Sequence, residues 1–502
     1  MTSATQPDWR QLATDLHVMG TPFIGGQYLP ASGKAPALTT NPVDGSAGFS
    51  YHESDAADVD AAVTAARTAW EQCWRDCGPA QRKRHLLALS DAILANSQAL
   101  ALCDSLDMGK PISAAAGEGF PAAGFIRYYA EAIDKVYAGN VAPTGPGAME
   151  LQLLKPRGVV GAITPWNFPL INACLKLGPA LAAGNTVVIK PSELSPRSSL
   201  LLARIASEAG LPAGVINVLP GGGETGAMLA AHPGVDMLTF TGSTATGKAI
   251  LQTLGGSTLK PVLLECGGKS PEILFEDVAE LDLDQVAAQI VRGALWNQGQ
   301  VCVARTRLLV HRDLYEDMLA AVLAVAETIN PGDPLDSATS FGPLASARQK
   351  DIVEKYIQSG IDDGARLLLD GRNPAGFDKG CYVGPTIFAD VPPAARIARE
   401  EIFGPVLCVM PFNDEAEALA LANDTSYGLA ATIWTRDILR ANRVASRIEA
   451  GKIRIVSSLA QVEGAGLAHS AEPCGQSGYG VEGGPNVLKS YMRQQSVEMH
   501  MG

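Results

Sequence analysis

The chain has 502 residues, 47% of them apolar and 18% charged, with 39 basic against 52 acidic side chains and a net charge of −13. That length is too great for one ordinary core, so two or more domains are expected, and the composition is that of a well-buried globular protein rather than a disordered one. The acidic balance and the lack of a dense Lys/Arg tract argue against nucleic acid as a partner, because nothing neutralises phosphates in bulk.

The opening "MTSATQPDWR" is polar and carries no apolar signal segment. The nine cysteines are scattered, odd in number and form no CxxC pair. Cys73 and Cys77 lie four apart on an expected helix, "DVDAAVTAARTAWEQCWRDC", and read as packing or surface thiols. A reduced, cytoplasmic setting is the expectation. Residues 158–175, "GVVGAITPWNFPLINACL", carry no charge and are long enough to suggest a membrane span. Pro165, Asn167 and Pro169 near its middle would leave polar groups unpaired in lipid, so a buried strand, a loop and a helix are expected instead, and no membrane partner.

Further along, β-branched runs alternate with helical patterns. The expected strands include "GVVGAIT", "NTVVIK", "GVINVLP", "DMLTFTG", "PEILF" and "RTRLLV". The helices between them include "SPRSSLLLARIASEAG", "ATGKAILQTLG" and "DLDQVAAQIVRGALW". Such alternation implies βαβ units and a largely parallel sheet, an α/β fold.

Five stretches carry candidate chemistry, each with a plain structural reading beside it. In "TPWNFP" (164–169), Asn167 sits in a stiff turn, as a pre-aimed amide donor for an oxyanion or as an Asx-turn residue. "NTVVIKPSE" ends a strand with Lys190 and places Glu193 just beyond, either at the ligand crevice or as a solvated lysine and a helix-start acid. "FTGSTATGKA" opens a helix with small residues, suited to an anion or to a tight turn. It nearly fits a P-loop but has Ala249 where Ser or Thr should stand, and it lacks GxGxxG. "LLECGGKSP" sets Glu265 after an apolar run, where desolvation would raise its pKa and suit it to general-base work, or where it could pair with Lys269. "WNQGQVCVAR" places Cys302 in a polar, glycine-bearing stretch, unlike an apolar filler cysteine. No histidine or second cysteine stands close to it in sequence, and metal-ligand spacing is absent.

In order, "TPWNFP", "KPSE", "FTGS", "ECGGKSP", "NQGQVC" and "EEIFGPV" resemble the aldehyde dehydrogenase superfamily, from about "FIGGQYLPA" to the end of the chain. The resemblance implies an NAD(P)-dependent, hydrolytic enzyme. Cys302 resembles the nucleophile, Glu265 the base that activates the deacylating water, Asn167 the oxyanion donor and Lys176 a lysine that supports proton movement. Lys190 and Glu193 resemble the adenosine-ribose contacts. Thr164, Pro165, Trp166, Gly242, Ser243 and Gly247 resemble the cofactor's phosphate side. Glu401 and Phe403 resemble the residues at the nicotinamide ribose and ring. Glu193 favours NAD over NADP, since its carboxylate would repel a 2′-phosphate, but dual use stays open. The implied fold is a Rossmann-like cofactor domain (1–135 and 155–263), an α/β catalytic domain (264–468) and a small β oligomerisation arm (136–154 and 469–502). A homodimer or homotetramer is implied with it.

The chain departs from the family pattern in "AGKIRIVSS" (450–458) and in "EPCGQSGYGVEGG" (472–484), where Cys474 replaces an aromatic. Leu175 likewise stands where many members carry a bulky aromatic. With Val301, Val303, Leu459 and Ala460, these residues suggest a wide apolar tunnel for a bulky aromatic or medium-chain aldehyde. A semialdehyde or CoA-acylating dehydrogenase is the alternative within the family, and a catalytically silent homologue is the alternative outside catalysis.

Overall fold

A computed structural model describes residues 7–30, 36–139, 147–460, 467 and 469–500. Of the segments discussed above, 140–146 and 501–502 of the expected arm, and 461–466 and 468 of the expected catalytic domain, lie outside the described residues.

Two sheets organise the chain. Across the first run Gln27–Tyr28, Phe23–Ile24, Ile216–Val218, Thr186–Lys190, Val159–Ile163, Met237–Thr241, Val262–Glu265 and Gly478–Tyr479. The five strands from Ile216–Val218 to Val262–Glu265 are parallel. Every residue of Val159–Ile163 and Thr186–Lys190 is buried, which is why these strands read as unbroken apolar runs instead of alternating ones. Helices Pro79–Ala95, Gly119–Ala132 and Pro169–Ala182 pack their apolar faces together against this sheet, around Leu86, Ile126, Leu177 and Val187.

The second sheet runs Arg366–Leu369, Thr386–Ala389, Val406–Phe412, Arg307–His311, Pro271–Leu274, Ala430–Trp434 and Lys452–Val456. It is parallel except for Arg366–Leu369, which pairs antiparallel at the edge. Its two faces are covered by separate cores, one around Ile273, Val353 and Phe388, the other around Leu274, Ile290 and Met318. The alternating pattern therefore resolves into two parallel-rich sheets.

The C-terminal segment departs from the expectation that 469–502 is all arm. Cys474–Gly475 pairs with Tyr427–Gly428, and Gly478–Tyr479 completes the first sheet beside Leu264 and Glu265. Gly478 has φ +111, and a Cβ there would stand 2.0 Å from the Leu264 carbonyl oxygen, so only glycine permits this pairing. Val487 and Leu488 then enter the first core. What remains as a separate ribbon is Ala148–Pro156 paired antiparallel with Met492–His500. Met149, Leu151 and Leu153 stay exposed on one face of that ribbon.

Among the described residues no single helix is long and apolar enough to cross a membrane. One bent pair, Pro79–Ala95 and Ser97–Met108, passes on length and composition, but Leu86, Leu89, Ile93 and Leu100 sit in the first core and Leu102 packs in a smaller one with Trp9 and Ile112.

Candidate active site

The strand order of the first sheet reverses between Val159–Ile163 and Met237–Thr241. In an open parallel sheet the ligand crevice lies beyond the carboxyl ends of the strands at such a reversal. Those ends lead directly into the turn at Thr164 and into Gly242–Ser243. A cavity of about 440 Å³ opens here. Pro165, Trp166, Gly242 and Ser243 form part of its wall, Glu401 and Phe403 another part, and Cys302 faces it with Val301 and Val303. Asn167, Phe168, Ile171, Asn172 and Trp296 complete the walls around the cysteine.

The approach to Cys302 is a strained piece of backbone. Helix Leu283–Leu295 ends at Trp296, and Asn297, Gln298 and Gly299 follow at φ +51, +57 and +70. A left-handed non-glycine residue costs about 1–3 kcal/mol, so two in a row need outside ties. Asn297 Nδ2 donates to the Asn167 carbonyl at 3.0 Å, and Asn167 Nδ2 donates to the Gln300 carbonyl at 3.0 Å. Gln300 Nε2 donates back to the Asn297 carbonyl at 3.2 Å, while its Oε1 accepts from the Ala345 amide at 2.9 Å. This ring of amides fixes the Cys302 loop to the Asn167 turn. The Asn167 amide thus spends one of its N–H groups on Gln300, and its Oδ1 is buried without a partner among the described residues.

Gly299 lies where a Cβ would stand 2.1 Å from the Gly404 carbonyl oxygen. Replacement by alanine combines that backbone clash with the cost of a left-handed alanine. We expect Gly299→Ala to lose more than about 2 kcal/mol of stability and most activity, read by urea denaturation and turnover. A loss below about 0.5 kcal/mol would mean the loop yields freely.

Electrostatics in the site run against free ionisation. Burial, and next Glu265, Glu401 and Glu482, push the Cys302 thiol up to about 12. Burial also lifts Glu265 well above the usual carboxylate range; Glu482 adds to this and Lys176 opposes it. Glu265 stands behind the cavity wall, whose nearest members are Cys266 and Gly267. Lys176 is buried and donates to Glu482 Oε1 at 3.0 Å and Thr239 Oγ1 at 3.2 Å. A Glu265–Lys176–Glu482 cluster therefore lies under the reaction side of the cavity.

The wall formed by Gly242, Ser243, Glu401 and Phe403 carries groups of the kind a dinucleotide needs. Ser243 caps helix Thr244–Ser257, its Oγ accepting from the Thr246 amide at 3.2 Å, and a Cβ on Gly242 or Gly247 would meet the Phe240 ring at 2.5 Å or Cys266 Sγ at 3.0 Å, so the glycines let this helix start pack closely. Burial raises Glu401 to about 7, against the Gly268 N–H that donates to it at 3.0 Å and the nearby Lys269. A Cβ on Gly267 would fall 2.0 Å from Glu401 Oε2, so the glycine is what admits this carboxylate. Phe403, at φ +56, is held by Gln349 Nε2 donating to the Ile402 and Phe403 carbonyls, and meets Trp166 edge-on at 5.3 Å. Lys190 Nζ donates to the Gly221 carbonyl at 3.0 Å and lies 3.8 Å from Glu193 Oε2, at the end of the neighbouring strand.

The expected tunnel residues divide. Val301 and Val303 line the cavity. Leu459 instead packs against the core around Trp434 and Val456, and Ala460 is exposed. Cys474 packs on the Gly428 backbone, where its Sγ meets the Gly428 carbonyl at 3.4 Å. Leu175 lies one turn past Ile171 on helix Pro169–Ala182 and is not part of the wall. Strand pairing decides two of these: Lys452–Val456 joins the second sheet, after which Leu459 turns to its core, and Cys474 pairs opposite Gly428. Arg305, three residues after Cys302, pairs with Glu272 at 3.3 Å. The motifs did not reveal Trp296, Ile352, Tyr356 and Gln349 as walls, nor Glu482 as the partner of Lys176. Glu482, an acid flanked by Gly480, Gly483 and Gly484 in an otherwise divergent stretch, was the one visible signal.

A model of the aldehyde dehydrogenase family matches residues 28–497. The NADP/NAD-dependent aldehyde dehydrogenase PuuC of Escherichia coli is 46% identical over 448 residues, 89% of each chain. An aminoacetaldehyde dehydrogenase of Pseudomonas aeruginosa is 41% identical over 90% of each. The crystal structure of an indole-3-acetaldehyde dehydrogenase with NAD+ superposes at a TM-score of 0.94 with 42% identity, over 99% of this chain and 100% of that one.

Proposed function

The chain belongs to the aldehyde dehydrogenase family, and we propose that it oxidises a bulky aromatic or medium-chain apolar aldehyde to the carboxylic acid through Cys302. It is an NAD(P)-dependent enzyme with NAD as cofactor. The observation that carries the proposal is a cavity in which Cys302 shares walls with Trp166, Glu401 and Phe403 on one hand and Phe168, Ile171 and Trp296 on the other.

In this reading, Glu401, Phe403, Trp166 and Ser243 hold the cofactor, with Lys190 and Glu193 at its adenosine ribose. When bound, the nicotinamide supplies a hydride acceptor and a positive charge beside the thiol. Cys302 Sγ adds as the thiolate to the aldehyde carbon, and the remaining Asn167 N–H and the Cys302 backbone N–H receive the oxyanion. Loss of hydride from that adduct leaves a thioester on Cys302. Glu265 then takes a proton from water as it attacks the thioester, and Lys176 with Glu482 passes that proton outward. Carboxylic acid departs and the Cys302 thiolate is restored. A water-activating base in this position favours hydrolysis over transfer to CoA. Glu193, at the ribose position, favours NAD over NADP.

The apolar cluster of Phe168, Val301 and Ala304, with Ile171 and Val303 packed on it, supports the substrate class. The relative that acts on indole-3-acetaldehyde supports an aromatic substrate, and the one that acts on aminoacetaldehyde supports a smaller polar one. The ribbon Ala148–Pro156 with Met492–His500, exposing Met149, Leu151 and Leu153, supports pairing with further copies as a homodimer or homotetramer. The test is NADH formation across aliphatic, aromatic and polar aldehydes. We expect kcat/KM for benzaldehyde or octanal to exceed that for acetaldehyde by about tenfold or more. Equal values would overturn the substrate assignment while leaving the chemistry.

A further inference from the structure

A buried charge lies against one wall of the Cys302 cavity and takes no part in the chemistry described above. Helix Ser97–Met108 stops at Gly109, which is left-handed at φ +73, and a Cβ there would stand 2.5 Å from the Pro343 side chain and 3.0 Å from that of Pro42. Lys110 follows this tight exit and is 1% exposed. Its Nζ pairs with Glu118 Oε1 at 2.5 Å and stands over the Phe168 ring, 3.8 Å from the centroid. Phe168 in turn lines the cavity with Cys302, meets Trp296 at 4.9 Å with the ring planes at 49°, and packs on Val301. The same helix makes a second tie to this turn: buried Asp104 accepts from the Leu170 amide at 3.3 Å.

Such a charge is weak evidence of stabilisation. An ammonium buried with one carboxylate is costly to desolvate, and apolar side chains of similar volume would often fill the space at least as well. The polar pairing is also incomplete. Glu118 Oε2 and Asp104 Oδ1 are buried without a partner among the described residues, and burial pushes the Glu118 carboxyl up to about 7 although Lys110 draws it back. What the ammonium does supply is direction. A cation is attracted to the face of an aromatic ring and not to its edge, so Nζ selects one tilt of Phe168 in a way that non-directional apolar contacts do not.

We propose that Lys110 is a positioning residue that sets substrate specificity: its ammonium holds the Phe168 ring beside Trp296 as a fixed wall on which a flat aromatic aldehyde packs while Cys302 attacks. This deepens the aldehyde-oxidising reading and rests on it. Acetaldehyde has too little apolar surface to gain much from that wall, so the aromatic substrate bears the loss when the charge is removed.

The experiment uses the whole enzyme with benzaldehyde and acetaldehyde. In Lys110→Met/Glu118→Gln, which removes both charges and strands neither, the benzaldehyde-to-acetaldehyde ratio of kcat/KM should fall about fivefold, the scale of one cation–π contact, and the loss should appear in KM for benzaldehyde. Lys110→Gln, which keeps a donor for Glu118, should show the same fall and serves if the double variant does not fold. Phe168→Leu should lower the ratio by itself. Adding the Lys110 and Glu118 substitutions to it should then change the ratio by less than about twofold, because the ring through which the charge acts is gone. An equal loss for both substrates, with the ratio unmoved, overturns the proposal in favour of a purely structural pair. So does the same fall persisting in the Phe168→Leu background. If the wild type shows no preference for benzaldehyde, the apolar substrate class falls, and the shift in ratio between wild type and variant still decides the role of Lys110. If no aldehyde is oxidised at all, benzoate binding read by protein fluorescence takes the place of KM: it should weaken about fivefold without the charge, and equal binding overturns the proposal.

Discussion

Replacing Cys302 by alanine should lower kcat by at least about 10⁴-fold for every aldehyde, close to the uncatalysed rate, because the covalent intermediate can no longer form. The variant should fold and bind NAD+ as the wild type does. The sulfur is one wall atom among many, while the loop that carries it is held by Asn167, Asn297 and Gln300 side chains that the substitution leaves in place. Turnover is followed as NADH and binding as quenching of Trp166 fluorescence. A residual rate within about tenfold of the wild type would show that another group carries the chemistry. Cys266, which lines the same cavity, is not a ready substitute, because its Sγ lies toward Gly247 at the start of helix Thr244–Ser257.

The second large effect separates the two halves of the reaction. Glu265→Gln should leave a rapid burst of one NADH per site and reduce the steady state by about 10²–10⁴-fold, since hydride loss needs no base but thioester hydrolysis does. Glutamine also mimics the protonated acid that burial favours at this position, so the fold should be undisturbed. The direction with pH follows from the raised pKa. Glu265 is an effective base only once deprotonated, so wild-type steady-state turnover should climb with pH through a limb displaced well above the ordinary carboxylate range, and the variant should lose that limb. Alkylation of Cys302 by iodoacetamide gives an independent sign. Glu265 is one of the anions that hold the thiol up, so at alkaline pH the variant should react faster than the wild type, not slower. Loss of the burst together with the steady state would assign Glu265 to the first half-reaction instead.

The chemistry-bearing residues were legible because each sits in a short local frame. Glu265 follows an apolar strand and precedes two glycines; Gly267 proves necessary because a Cβ would collide with Glu401. "TPWNFP" and "FTGS" were readable as strand exits, and the reversal of strand order between them gives those exits a common crevice. The strained run before Cys302 was less legible. Only Gly299 announces a left-handed turn, and Asn297 and Gln298 adopt the same conformation because side chains from other segments hold them there.

What the sequence by itself determined is the α/β class, the strands and helices that carry the motifs, and the identity of Cys302, Glu265, Asn167, Lys190, Glu193, Glu401 and Phe403 as candidates. Local backbone geometry and residue chemistry single out Cys302, Glu265, Asn167, Lys190 and Glu193, while Glu401 and Phe403 are candidates only through the family resemblance. Only the tertiary structure decided which side chains close the space around them. Trp296, Gln349 and Glu482 come to the site from segments far apart in the chain, and Leu459 and Cys474 leave it, because strand pairing and helix packing fix the direction of each side chain. A one-residue change in pairing turns a strand residue to the opposite face, so the walls of the cavity are set by long-range register rather than by distance along the chain from a motif.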